Sequence, residues 1–136
     1  MSRESHLATV SAVYAAFGAG DVAGLLAHLD PNAVWSNQGP EHLVPAYFGT
    51  KHGHDGALTV LGYLATNVDI SVFNPHTFVA DDERVVVLVR LEGTARATGR
   101  SYSEDFAQLF EFGADGLITR FCDFQDSAAV AGALVD

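Results

Sequence analysis

One cysteine among 136 residues, Cys122, leaves no partner for an internal disulfide and suits a reducing compartment. Positive charge is also scarce. Seven Lys and Arg stand against 17 Asp and Glu, a net charge of -10, so phosphate backbones and acidic membrane surfaces are repelled on average. Neither nucleic acid nor a membrane is expected as a partner. Long apolar runs are missing too: the longest bulky aliphatic stretch, Val85 to Val89, is far too short to cross a bilayer. The opening "MSRESHLATV" lacks the apolar centre of a signal peptide, so a cytoplasmic location is expected. No glycine pattern that would cradle a phosphate or a dinucleotide occurs.

What is present is a balanced globular composition, 49% hydrophobic and 18% charged, with no repeat and no domain-sized linker. Residues 1–136 therefore read as a single domain. Leu7, Val10, Tyr14 and Phe17 recur at helical spacing until "GAGD" breaks the pattern. Asp21 is placed to cap a second helix with the stripe Val22, Leu25, Leu26 and Leu29, which "DPN" ends. "AVWSN" reads as a short strand, residues 38–53 as a long loop, and a third helix begins near Asp55. Its expected apolar face is Leu58, Leu61, Leu64, Ala65 and Val68. The period then changes to two: "DISVFNPHTFVA" and "RVVVLVRLEGTA" form a hairpin about Asp81-Asp82-Glu83. "RSYSEDFAQLFEF" and "LITRFCDF" form another about Asp115-Gly116, and a short helix closes the chain.

Helices first and a meandering sheet second give an α+β class. Val85, Val87, Val89 and Leu91 share one strand face, while Val86 and Leu88 share the other with Arg90 and Glu92. A sheet with apolar residues on both sides needs two covers, and the N-terminal helices supply one. A second copy of the chain is the expected other cover, hence a homodimer.

The order helix, "YAAFGAGD", helix, "AVW", loop, helix, then strands ending in "DGLITRFCDFQD" resembles the SnoaL-like group. That group sits in the nuclear-transport-factor-2-like superfamily with ketosteroid isomerases and limonene-epoxide hydrolases. The resemblance implies a cone-shaped, curved mixed sheet wrapped around N-terminal helices, and a small-molecule pocket without a cofactor. The ketosteroid isomerase base falls on Asn37, its oxyanion-holding Asp on Gln108, and its Tyr on Val13 beside Tyr14. The acid/base Asp of SnoaL-type polyketide cyclases falls on Asp123, and their histidine on Gln108. The epoxide hydrolase pattern maps onto Arg90-Leu-Glu92, Asp123 and Trp35-Ser-Asn37.

Among the candidate residues, Asp126 is placed to cap the final helix. Asp123 shares a strand face with Leu117, Thr119 and Phe121, and works as a proton carrier if that face is concave. The alternative is an ion pair with Arg90 or Arg120. Arg90 and Glu92 are expected to support Asp123, or else to form a cross-strand salt bridge on the solvent face. Asn37 and Gln108 are candidates to hold substrate oxygen atoms; Trp35, Tyr14, Phe17, Phe48 and Phe106 are candidates for the pocket wall. His42, His52, His54 and Asp55 raise the question of metal, but His-x-His beside Gly53 before a helix fits a helix cap better, with no metal site. Cys122 lies on the face opposite Asp123 and reads as a buried thiol.

The expected activity is carboxylate acid/base catalysis on a small apolar metabolite: polyketide cyclisation, isomerisation or epoxide hydrolysis. A non-catalytic ligand-binding or dimerisation domain of the same fold is the alternative.

Overall fold

The computed structural model describes residues 2–136. Helix α1 spans Arg3–Ala19 and is framed by its own ends. Ser2 and Ser5 cap each other reciprocally at the start, and Gly20 closes the helix in the left-handed region at φ 69°. Helix α2, Val22–Leu26, is short; Asp21 caps it by accepting the amide of Gly24. Leu29, expected in this helix, instead begins strand β1, Leu29–Asn37. Pro31 lies where the pairing of β1 slips between Leu29 and Val34, because proline cannot donate to a ladder.

The expected loop over 38–53 contains strand β2, Gly49–His52, paired antiparallel to β1. Helix α3, Gly53–Asn67, starts slightly earlier than expected and buries Ala57 and Val60 rather than Leu58 or Ala65. His52 holds the N-cap position without a side-chain cap, and the His54 ring bonds the Leu29 carbonyl at 2.9 Å. His54 thus ties α3 to β1, and neither it nor Asp55 caps the helix. Among the described residues, no three His, Cys, Asp or Glu side chains gather as a metal cluster.

Strands β3, Val68–Ala80, and β4, Arg84–Ala95, form the first hairpin. Asp81 Oδ1 accepts the amides of Glu83 and Arg84 and shapes its turn. Strands β5, Ser101–Phe112, and β6, Ile118–Phe124, form the second, turned at Gly116 with φ 83°. Helix α4, Ser127–Leu134, follows, and Asp126 caps it through the amide of Ala129. The spatial order is β2-β1-β6-β5-β4-β3 in one curled, open sheet. Only the β1–β6 contact is parallel.

Alternation on β4 sorts the two faces. Val85, Val87, Val89 and Leu91 are buried against the helices, whereas Leu88 on the outer face is 42% exposed. The helices lie in the concave side, and the concave side carries the core. No helix among the described residues is long and apolar enough to cross a membrane.

Candidate active site

Three neighbouring strands bring polar side chains into the concave core. Asn37 on β1 stands in register with Asp123 on β6, and Asp123 stands in register with Gln108 on β5. Strand alternation points all three inward, between Trp35, Phe121 and Phe110 on the same face. They line a cavity of about 60 Å³, together with Tyr14, Phe17 and Phe106. A wider recess of about 370 Å³ adjoins it between α1 and β3, sharing Tyr14, Phe17, Ile70 and Phe73.

Asp123 is 6% exposed, and its Oδ1 has no hydrogen-bond partner. Burial pushes its carboxyl well above the ordinary range, and the nearby Glu104 carboxyl pushes it further in the same direction. Gln108 opposes this as a hydrogen-bonding neighbour. Tyr14 donates to Gln108 Oε1 at 2.7 Å, which leaves the amide end of that side chain for Asp123. Asn37 Oδ1 is likewise buried without a partner. Two unmet acceptors side by side call for a proton, and a neutral Asp123 supplies one. Burial and the unmet oxygens both favour the neutral form of Asp123.

Neither proposed ion pair forms. Arg120 bonds Glu111 at 3.2 Å, and Arg90 lies between Glu92 at 3.4 Å and Asp105 at 3.2 Å. Arg90 and Glu92 do share a strand face, but it is the outer one. Leu91 between them points into the cavity, and their side chains are 37% and 46% exposed. The structure thus separates them from Asp123 and makes them a surface salt bridge. Phe48 is also misplaced as pocket wall: it is fully buried in the core beside Tyr47 and does not line the cavity. Trp35, Asn37, Tyr14, Phe17, Phe106 and Gln108 do line it.

Two polar lining residues went unnoticed in the sequence. Tyr47 comes from the loop before β2, and its hydroxyl donates to Gln125 Oε1 at 2.7 Å. A loop residue has no periodicity to betray its direction. Glu104 lies on β5, 3% exposed, with Oε1 accepting the Asp126 amide at 3.0 Å. Burial raises its pKa to about 7; the Asp126 carboxylate adds to the rise, while the Asp126 amide lowers it. Its signal was available, since Glu104 is in phase with Phe106, Gln108 and Phe110. Among the described residues lining the cavity, none is Lys, Arg or His. The site can hold and move protons, but it has no fixed cation.

Residues 10–121 match the SnoaL-like domain family, 112 of the 136 positions. The chain belongs to the SnoaL-like family. The SnoaL-like match takes in Tyr14, Glu104 and Gln108 and stops two residues before Asp123. Solved structures similar to this chain share the whole architecture. An NTF2-like protein from Burkholderia xenovorans LB400 is 30% identical, covers 98% of each chain and has a TM-score of 0.86. An NTF2-like protein of unknown function from Burkholderia pseudomallei K96243 is 30% identical over 97% of this chain and 98% of its own, TM-score 0.84. TerC, co-crystallised with polyporic acid, is 28% identical over 95% and 97%, TM-score 0.81. No curated protein matches the sequence. The curved mixed sheet, with its helices in the concave side, is the architecture of this superfamily.

Proposed function

We propose that this protein is a cofactor-independent enzyme that moves a proton on a small, largely apolar, carbonyl-bearing molecule, as in isomerisation or ring closure. Asp123 is its acid/base group. The observation that carries the reading is a buried carboxyl with an unpartnered oxygen, facing a cavity whose walls offer no cation. A structural carboxylate would be paired or hydrogen-bonded, because an uncompensated buried charge is expensive. A neutral carboxylic acid is instead a donor poised for a carbonyl oxygen on which negative charge develops. Gln108, anchored by Tyr14, and Asn37 stand on either side of Asp123 to orient that oxygen.

The polyporic acid complex of TerC supports a small organic occupant for this fold. Ring closure and isomerisation need only proton transfer, which these residues supply. Epoxide opening in the pattern of the hydrolases needs the Arg-x-acid pair inside, and here that pair faces outward. The outer face also supports a homodimer. Val79, Leu88 and Phe124 are exposed there beside the ion pairs of Arg90, and a second copy is the occupant we propose.

The test uses 2-tetralone, a ketone with acidic C–H bonds beside its carbonyl, in D2O. The protein should speed deuterium uptake at those carbons, followed by proton NMR. Asp123→Asn should lose roughly 10²-fold of that rate. Its melting temperature should hold or rise, because at neutral pH the folded state no longer has to protonate a buried acid. An Asn variant with full activity would remove Asp123 from the chemistry. A wild-type protein no faster than buffer would favour a non-catalytic binder.

A further inference from the structure

We propose that Glu104 is the second proton carrier of this site: it takes the carbon-bound proton of an enolisable carbonyl compound while Asp123 supplies one to the carbonyl oxygen. This role rests on the proton-transfer reading of Asp123 and fills the place of the base which that reading leaves unassigned.

Glu104 reaches the cavity from a different quarter. It stands opposite Leu91 on β4 and four residues before Gln108, the register partner of Asp123. Four residues along a strand is roughly 13 Å between backbone positions. The two carboxyls therefore enter from separated points, yet the charge of Glu104 is felt at Asp123. They flank an occupant rather than touch each other, as a base at one carbon and an acid at a nearby oxygen must.

The bond from Asp126 offers a simpler role, a side chain that secures the start of α4. That role needs only an acceptor oxygen. Glutamine would serve it without placing an ionisable group beside a buried acid. Oε1 is committed to Asp126, while Oε2 has no hydrogen-bond partner among the described residues and belongs to a side chain lining the cavity.

The charged and titratable groups that face Glu104 are Asp123 from β6, Tyr47 from the loop before β2, Tyr102 from its own strand, and Asp126 at the start of α4. None is a cation. The phenol of Tyr47 is held well above its ordinary range by burial, and that of Tyr102 is pushed up to about 12 by the same cause. Both remain neutral, so the titration near neutrality at this site is that of Glu104. Burial raises both carboxyls, Glu104 to about 7 and Asp123 well above its ordinary range; in the proposed step Glu104 acts as the ionised partner and Asp123 as the neutral one.

The step balances without another reactant. The Glu104 carboxylate removes a proton from the carbon beside the carbonyl, and the C–H electron pair becomes the C=C bond of an enol. The carbonyl π pair moves to oxygen, which takes the Asp123 proton. Returning the Glu104 proton to the same carbon, and the enol proton to Asp123, exchanges that hydrogen and restores both side chains. Where a C=C adjoins that carbon the enol is a conjugated dienol, and protonation at its far end shifts the double bond and gives an isomer.

The same 2-tetralone exchange, run across pD 5 to 9, separates the two claims. Wild-type exchange should rise with a midpoint near 7 as Glu104 ionises. Glu104→Gln keeps an acceptor for Asp126 and should lose roughly 10²-fold of the rate together with that rise. Glu104→Asp retains a carboxylate and should keep the rise at a lower rate. Asp123→Asn should be slow but keep the rise. Glu104→Gln exchanging at the wild-type rate with the same midpoint overturns the role of Glu104 and leaves that of Asp123 standing. Wild-type protein no faster than buffer overturns both.

Discussion

Replacing Glu104 by Gln should make the protein more stable at pH 8 and leave it unchanged at pH 4. The carboxyl is raised from 4.5 to about 7 in the folded protein. A group raised on folding stabilises fully below its unfolded value, and that contribution is lost as pH climbs through the folded one. Between pH 4.5 and 7 the native state binds more protons than the unfolded chain, so wild-type stability falls with pH across that window. At 1.36 kcal/mol for each tenfold change this amounts to about 3 kcal/mol. Water reaching the cavity screens the carboxyl, which brings the expectation to about 2 kcal/mol. The glutamine side chain of the Glu104→Gln variant cannot ionise, still accepts the Asp126 amide, and should escape the fall. Urea unfolding of both proteins from pH 4 to 8 reads the difference directly. For a chain of this length the same effect is roughly 7 °C in melting temperature at pH 8. Stability curves that stay parallel over the whole range would show that Glu104 is an ordinary solvated carboxylate.

Light scattering at micromolar concentration should give twice the 14.4 kDa chain mass; a folded monomer would show that the outer face needs no cover. Arg90→Ala should leave 2-tetralone exchange intact and cost less than about 1 kcal/mol, because its ion pairs are partly solvated. A hundredfold loss of exchange in that variant would return Arg90 to the site.

The faces of β4 were legible because valine at every second position leaves one register possible, and all four inward residues are buried. Which face carried the chemistry was not legible from that strand alone. Val86 and Leu88 made the outer side apolar enough to resemble an interior, and Arg90 and Glu92 went with them. Asp123 was readable through its setting, a lone acid among aromatics in the last strand. Glu104 was readable only by extending the phase of Phe106, Gln108 and Phe110 back to a residue amid polar neighbours in "SYSED". Leu29 was drawn into α2 by its spacing, and tertiary pairing with Ile118 placed it in β1 instead. The helical stripe of α3 held in part: Leu61 and Leu64 pack against the core, while Leu58 is exposed and the small Ala57, which a search for large apolar residues passes over, is fully buried.

Strand β6 lies between β1 and β5, although eighty residues separate it from β1 along the chain. During synthesis, β1 has no parallel neighbour until the last strand emerges, and β5 keeps a bare edge for the same interval. Such edges are templates for wrong partners, and distant pairings are slow to form. The insertion of β6 is therefore a late event that seals the sheet and delivers Asp123 between Asn37 and Gln108 at one stroke. A nascent chain short of Ile118 would have three helices and five strands but neither β6 nor α4, and so no Asp123. The proposed proton transfer would then report on complete folding, because a chain without β6 lacks Asp123.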